Sequence, residues 1–190
     1  MKIYTKTGDQ GETGLLGGVR VSKSHLTVKV CGTLDEANSN AGLARCESLP
    51  DGIDEVLTQI QHDLFDLGSR VANCLGQSQR PAEFPASRAV ELEQLIDQFD
   101  AQLPPLKAFI LPSGCRAGSL LHLTRAVCRR AERDLVELID SDVGTDLSTE
   151  LIYLNRLGDL LFVLARYVNN QMGSAETEWN VGRNGTPKKE

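Results

Sequence analysis

Apolar residues recur at intervals of three and four along most of this chain, and this spacing is what most limits its possible folds. After Asp51 the recurring apolar positions are Ile53, Val56, Leu57, Ile60, Leu64, Leu67 and Val71. Such spacing is typical of an amphipathic helix that buries one face. The short stretch Leu26–Val30 could be extended, but it cannot build a sheet alone. The pattern therefore predicts an all-α protein.

Polar residues mark where these helices should start. We predict helices from Thr33 to about Cys46, from Asp51 to about Val71, from Ser87 to Pro104, from about Arg116 to Ile139, and from Ser148 to about Gln171. Thr33 and Glu36 fit a capping box, and the other starting Asp and Ser residues can serve as N-caps. Five helices with modest loops predict an antiparallel bundle.

The two ends of the chain lack helical periodicity. Residues 1–25 are rich in Gly, Thr and Lys and should form an ordered loop, whereas residues 173–190 are polar and should form a mobile tail. A length of 190 residues fits one domain. The N-terminus lacks the apolar stretch of a signal peptide, and we find no run of membrane-spanning length. A cytoplasmic location is the default expectation.

Charge and cysteine content exclude several classes of protein. The net charge of −6 argues against a nucleic-acid binder, so any anion site must be a local basic cluster. The five cysteines are odd in number and form no CxxC pair, and the three histidines lack metal-ligand spacing. We interpret the cysteines as free thiols and expect no zinc site, although a His–Cys nucleophile pair stays open.

The stretch Thr5–Gly14, with sequence TKTGDQGETG, combines glycines with hydroxyl and amino groups. Glycines let the backbone approach a ligand closely, and successive amides can form an anion-binding concavity. Lys6 and Lys23 would add positive charge, and Asp9 could face Mg²⁺ on phosphates or fix a turn. Because the Walker and GxGxxG patterns are both absent, a phosphate loop and a plain flexible segment both stay open.

The fourth predicted helix carries an excess of arginines over acidic residues, namely Arg125, Arg129, Arg130 and Arg133 against Glu132. Arg125, Arg129 and Glu132 are spaced four and three apart, so they share one face. A solvated face with an Arg–Glu pair is one interpretation. The charge imbalance favours another, an anion site, because guanidinium forks match phosphate oxygens.

Two residues on neighbouring helices could complete such a site. Asp35, near the start of the first helix, is a candidate partner for one of the arginines. Asn155 heads a mixed stripe on the fifth helix that continues with Asp159, Phe162 and Arg166. The amide of Asn155 could be a satisfied structural group or could hydrogen-bond a nucleotide.

Taken together, these segments closely resemble the PduO-type cobalamin adenosyltransferases. The matching stretches are TKTGDQGETGLL, GVRVSK, GTLDEANS, FILPSG, CRRAER and YLNRLGDLLFVLAR, in the family's order from about Ile3 to Arg166. The departures from the family pattern lie at Ser24, Thr27, Ala37 and Gly158. None of them removes a residue in a proposed role.

The resemblance implies a homotrimer with active sites between subunits, which transfers the 5′-deoxyadenosyl group of ATP to cob(I)alamin and releases triphosphate. It implies that Asp35 and Arg125 bridge adjacent subunits, that Phe109 closes the lower face of the corrin, and that Phe109 and Arg129 carry catalysis. Mg²⁺ would arrive on the ATP phosphates. The implied ATP-binding residues are Thr5, Lys6, Thr7, Gly8, Asp9, Gln10, Gly11, Glu12, Thr13, Gly14, Lys23, Arg129, Arg130, Ala131, Glu132, Arg133 and Asn155.

Two other functions compete with this one. A phosphoryl-transfer enzyme or NTPase using the glycine loop would release orthophosphate or pyrophosphate, and the missing Walker lysine disfavours it. A non-catalytic cobalamin carrier or nucleotide sensor would bind without forming a cobalt–carbon bond, and the complete loop match disfavours it. For the transferase, a reductase and a B12-dependent enzyme are candidate partners, and neither nucleic acid nor membrane is expected.

Overall fold

The computed structural model describes residues 3–16, 18–75, 83–141 and 144–179, and the predicted five-helix architecture is confirmed. The elements are β1 (Glu12–Gly14), β2 (Arg20–Ser22), α1 (Leu26–Arg45), α2 (Ile53–Ala72), α3 (Ser87–Asp100), α4 (Arg116–Asp140) and α5 (Ser148–Gln171). The two short strands pair antiparallel, with Glu12 opposite Ser22. The glycine-rich segment is therefore ordered partly as a hairpin, which the sequence pattern did not predict.

The helices bury one continuous apolar core. α1 packs on α2 and α4, α4 packs on α5, and α5 packs on α3. Fully buried leucines come from four helices and include Leu34, Leu67, Leu135, Leu157 and Leu161. Each such side chain contributes about 1.5–3 kcal/mol relative to an exposed one. None of the helices in the described part of the chain is long and apolar enough to cross a membrane.

The predicted start of α1 is wrong. The helix begins at Leu26, where the His25 ring nitrogen accepts the Thr27 amide at 3.2 Å. The stretch that could have been extended is helical because Val30 packs into the core and is fully buried. Thr33 is buried inside the helix, and its hydroxyl lies 2.8 Å from Asp134 of α4. Tertiary packing thus overrides the local capping signal.

The other three predicted caps are also wrong, because a neighbouring residue occupies the cap position in each case. α2 follows Gly52, whose φ of 81° lies in the left-handed region that glycine adopts without strain. α3 follows Ala86 with no side-chain cap. At the start of α5 the Asp146 carboxylate accepts the Ser148 amide at 2.9 Å, so Ser148 is the capped residue. The predicted caps Asp51, Ser87 and Ser148 therefore do not act as such.

The predicted mobile tail needs correction for its first part. Leu111, in the connector before α4, donates its amide to the Thr177 carbonyl oxygen at 2.8 Å, and Ile110 forms an antiparallel bridge with Glu178. Residues 174–179 are therefore hydrogen bonded to the body of the protein. Residues 180–190 lie outside the described part of the chain.

A buried carboxylate ties three helices together. Asp63 of α2 is 3% exposed and accepts a hydrogen bond from the Tyr153 hydroxyl of α5 at 2.8 Å. Arg88 of α3 donates to both Asp63 oxygens, at 2.7 and 2.6 Å. A buried carboxylate is tolerated when its oxygens are satisfied in this way. The network fixes α3 against α2 and α5.

We expect Arg88→Met to destabilise the fold by about 3 kcal/mol, because it leaves Asp63 buried without its cationic partner. Urea denaturation at neutral pH would measure the loss. Arg156→Met is the matched control, since Arg156 pairs with Glu93 near the surface at 2.8 Å. Exposed pairs contribute about 0–1 kcal/mol. Equal losses in the two variants would contradict the special role of Asp63.

Candidate active site

The hairpin gathers the basic groups of the N-terminal loop around its glycines. Lys23 donates its amide to the Gly11 carbonyl oxygen at 2.8 Å, and Arg20 donates to the Thr7 carbonyl oxygen at 2.9 Å. Gly8 faces the Lys23 side chain so closely that a Cβ at this position would lie 3.3 Å from Nζ. The loop and Lys23 therefore form one folded unit, although they are separated in sequence.

This unit exposes hydrogen-bond donors. Within the described part of the chain, no acceptor takes the amides of Gly8, Asp9 or Gln10. The Thr5 and Thr7 hydroxyls lie 2.8 Å apart. Lys6 has a φ of 60°, a conformation that costs a non-glycine residue about 1–2 kcal/mol. Such strain is characteristic of ligand-binding segments, and the arrangement can receive an anion.

The acidic residues of the loop differ in their surroundings. Glu12 forms an ion pair with Arg20 at 3.3 Å, and it lies with Thr13 and Gly14 in β1. Asp9 is exposed. No group of three or more His, Cys, Asp or Glu side chains among the described residues could hold a metal ion.

The arginines of α4 differ in how they are partnered. Arg130 forms an ion pair with Glu36 of α1, and Arg133 donates to the Arg129 carbonyl oxygen at 2.8 Å. Glu132 accepts a hydrogen bond from Asn155 of α5 at 2.9 Å. The suggested Arg129–Glu132 pair does not form, and Arg129 has no acidic partner in the part of the chain described here. Its exposed guanidinium is available to a ligand.

The same face of α4 continues toward α5. A Cβ at Gly158 would lie 3.5 Å from Arg129 Cγ, so the two helices are in close contact at this point. Asn155 lies one turn earlier on α5, and its bond to Glu132 brings it to the arginine cluster. Ala131, on the opposite side of α4, is fully buried and can contribute only backbone atoms.

Arg125 is half-buried and lacks a hydrogen-bond partner at one nitrogen. Its guanidinium lies 5.9 Å from the centre of the Phe162 ring. Its buried Nε has no acceptor among the described residues. Burial, and to a lesser degree the charge of Arg129, lower the pKa of Arg125 below its usual value. An external acceptor would satisfy this group.

Asp35 does not meet Arg125 within one chain. It is exposed on α1, at the rim of an apolar groove between α1 and α2 that Leu16 and Phe65 also line. In the described ranges Asp35 makes no ion pair; its neighbour Glu36 is the residue that contacts α4. Leu16 belongs to the segment joining β1 to β2, so the hairpin and Asp35 lie on the same side of the bundle.

Phe109 lies in the connector between α3 and α4 and is 76% exposed. Its ring packs edge-on against Trp179, with centroids 6.3 Å apart and an interplanar angle of 71°. The predicted site residues thus fall into four groups: the loop with Lys23, the α4 residues with Asn155, Asp35 on α1, and Phe109. Between the described parts of the loop and α4 there is no hydrogen bond or ion pair within one chain.

Sequence reasoning assigned no role to His122, one turn before Arg125 on α4. The residue is 3% exposed, and neither ring nitrogen has a hydrogen-bond partner within the described residues. Burial, reinforced by the Arg125 charge, lowers its pKa to about 4. The imidazole is therefore neutral at pH 7. The sequence shows that His122 lies on the same helix as the arginines, which could have marked it as a candidate. It does not show that the His122 ring is buried.

We expect His122 to make the fold sensitive to mild acid. Because the pKa falls from about 6.5 unfolded to about 4 folded, the unfolded chain takes up a proton first. Stability is fully present above pH 6.5, and about 2–3 kcal/mol is lost as the pH falls toward 4.5. His122→Leu should flatten this window in urea titrations. An unchanged pH profile would contradict the assignment.

The exposed amide loop and the exposed guanidinium of Arg129 define a helical-bundle protein with a candidate site for a polyphosphate ligand. The family model for cobalamin adenosyltransferase matches residues 3–168. The chain is 43% identical over 185 residues to a cobalamin adenosyltransferase of Cupriavidus metallidurans, covering 96% of each chain. It is 44% identical over 184 residues to a corrinoid adenosyltransferase of Bacillus subtilis, covering 94% of this chain and 92% of the relative. The chain therefore belongs to the cobalamin adenosyltransferase family.

A solved structure agrees in fold. A variant of the PduO-type ATP:corrinoid adenosyltransferase from Lactobacillus reuteri, complexed with cobalamin and ATP, superposes with a TM-score of 0.89 at 33% identity. The match covers 95% of this chain and all of the other. The predicted family and bundle are thus confirmed.

Proposed function

We propose that this protein transfers the 5′-deoxyadenosyl group of ATP to cob(I)alamin, giving adenosylcobalamin and triphosphate. The observation that carries the proposal is the folded loop, in which the Lys23 ammonium lies beside Gly8 and the amides of Gly8, Asp9 and Gln10 have no acceptor among the described residues. A polyphosphate is the ligand that such donors suit best. The family and the cobalamin and ATP bound to the Lactobacillus reuteri relative support the same substrates.

The reaction asks little covalent chemistry of the protein. The two electrons of the Co(I) nucleophile form the cobalt–carbon bond at C5′. The C5′–O5′ bond breaks, and triphosphate leaves with its electron pair. No side chain needs to act as nucleophile or base, so the protein contributes binding, placement and electrostatics.

Stabilisation of the leaving triphosphate falls to the basic groups. Arg129, Lys6 and Lys23 would face the negative charge that accumulates on it, together with the loop amides. Arg130 would have to share its guanidinium with Glu36, and Arg133 and Glu132 would line the same surface. The Asn155 side chain donates one hydrogen bond to Glu132. We assign its remaining hydrogen-bonding groups to the nucleotide.

We place the active site between subunits of a homotrimer. The loop and Asp35 lie on the α1–α2 side of the bundle, whereas Arg125 and Arg129 lie toward α5. A neighbouring copy could bring Asp35 to the unsatisfied Nε of Arg125. The same contact would bring the loop of one subunit to the α4 arginines of the next.

Mg²⁺ would be held mainly through the ATP phosphates. Magnesium commonly binds one or two carboxylates together with substrate oxygens, and the exposed Asp9 carboxylate in the loop fits that arrangement. The ion would supply charge neutralisation of the triphosphate. The proposed location is the cytoplasm, with a reductase and a B12-dependent enzyme as partners.

One anaerobic experiment tests the activity. Cob(I)alamin is mixed with the protein and MgATP, and the visible spectrum is followed for adenosylcobalamin while phosphate products are separated. We expect adenosylcobalamin and intact triphosphate in equal amounts. Orthophosphate or pyrophosphate would indicate a phosphoryl-transfer enzyme. Ligand binding with no cobalt–carbon bond would indicate a carrier.

A further inference from the structure

We propose that residues 174–179 form a strap that positions Phe109, with the Arg166–Glu176 ion pair as its latch. The inference rests on the proposed function for the role of Phe109. The strap itself lies beyond the part of the chain that the family model matches, which ends at residue 168, whereas Arg166 and Phe109 lie within it.

The strap is bonded to the backbone of the Phe109 connector. Trp179 donates its amide to the Phe109 carbonyl oxygen at 2.6 Å, and Leu111 donates to the Thr177 carbonyl oxygen at 2.8 Å. Ile110 and Glu178 are thereby paired as in an antiparallel ladder. Because Phe109 is 76% exposed, its position depends on these bonds more than on packing of its ring.

The latch fixes the other end of the strap. Arg166 of α5 donates from Nε to Glu176 at 2.7 Å, and from Nη2 to the Pro104 carbonyl oxygen at 2.9 Å. Its side chain is only 4% exposed, against 26% for Glu176. Because the Arg166 guanidinium is buried and hydrogen bonded on two sides, its geometry is fixed. It therefore joins α5, the strap and the start of the connector after α3 at one point.

The far side of the connector is held by Asn169. Its side-chain oxygen accepts the Cys115 amide at 3.0 Å, and its NH₂ group donates to the Ser113 carbonyl oxygen at 2.9 Å. A Cβ at Gly114 or Gly118 would overlap with the Asn169 side chain. The Asn169 backbone also accepts the Ser174 amide at 2.8 Å, which starts the strap. The connector is thus held between two anchors that meet at the end of α5.

If the strap sets Phe109, loosening its latch should affect the step that needs an apolar lower wall and spare the rest. The wall matters when Co(II) must lose its lower ligand before reduction. It matters less when cob(I)alamin is supplied already reduced. A purely structural role for the strap would instead lower both rates together.

The test compares Glu176→Gln with Glu178→Gln. Both remove one carboxylate from the strap, but Glu178 is exposed and makes no ion pair among the described residues. With cob(II)alamin, a reductant and MgATP, the rate of Glu176→Gln should fall about three- to tenfold, whereas the rate with preformed cob(I)alamin should change less than about twofold. Glu178→Gln should match the natural chain in both assays.

A second readout does not depend on turnover. Trp179 is the only tryptophan in the sequence, so its fluorescence reports the strap alone. In Glu176→Gln, acrylamide quenching of Trp179 should rise about twofold as the strap detaches locally. Glu176→Asp keeps the charge but withdraws the carboxylate by one methylene, and it should move both readouts in the same direction. It replaces Glu176→Gln in the test if that variant folds poorly.

The outcomes separate this inference from the proposed function. The latch would be overturned if Glu176→Gln showed the same Trp179 quenching as the unmodified protein and the same ratio of the two rates. An equal fall of both rates would overturn the positioning role. If the natural chain forms no adenosylcobalamin from cob(I)alamin, the proposed function fails, and the quenching comparison still decides whether Glu176 holds the strap.

Discussion

Arg129→Ala should lower kcat/KM for ATP by tenfold to a hundredfold or more while leaving the bundle folded. The Arg129 guanidinium is exposed on α4 and has no acidic partner among the described residues, so its removal leaves no buried charge behind. A hydrogen bond to a charged group contributes about 1.5–3 kcal/mol, which corresponds to this range of rates. Steady-state kinetics with cob(I)alamin in excess would measure the loss.

The controls for Arg129 separate charge from geometry. Arg129→Lys keeps the charge but loses the planar fork, so we expect an intermediate loss. Arg116→Ala removes an arginine from the first turn of the same helix, where it pairs with Glu47 and its side chain is 82% exposed. That variant should retain full activity. If Arg129→Ala had the same kcat/KM for ATP as the unmodified protein, Arg129 would not belong to the site.

The helices were predictable because their periodicity matches their burial. In α2 the predicted apolar positions Leu57, Ile60 and Leu67 are all buried, and α5 spans the predicted range. The ends were less predictable. The capping signal at Thr33 is locally valid, but α1 begins one to two turns earlier because Val30 packs into the core. The core residues that cover Val30 come from other helices, so the local sequence pattern does not record this packing.

The candidate site was predictable in its parts more than in its arrangement. Glycines and lysines in the loop allow an anion site, but composition alone left a plain flexible segment equally open. That Lys23 folds back on Gly8, that Glu132 binds Asn155, and that Arg130 is partly neutralised by Glu36 are consequences of tertiary structure. The strap was unpredictable for the same reason. Its polar composition predicted a mobile tail and could not reveal that Glu176 pairs with the buried Arg166.

Phe109→Ala should separate the two stages of the proposed reaction. We expect about a hundredfold slower formation of adenosylcobalamin from cob(II)alamin and a reductant, equivalent to about 2.7 kcal/mol. ATP binding should be unchanged, and the loss with preformed cob(I)alamin should be smaller. The physical reason is that an alanine would admit water to the lower face of the corrin, so that Co(II) keeps a fifth ligand and is harder to reduce.

The exposure of Phe109 makes this variant a clean test. A ring that is 76% exposed adds little to the core, so the fold should survive its removal. Leu106→Ala is the matched control, since Leu106 lies in the same connector and is 45% exposed. The comparison needs initial rates from both oxidation states and the spectrum of bound Co(II), which should keep its five-coordinate form in Phe109→Ala. Full activity of that variant from Co(II) would refute the apolar wall, and an equal loss in Leu106→Ala would assign the effect to the connector as a whole.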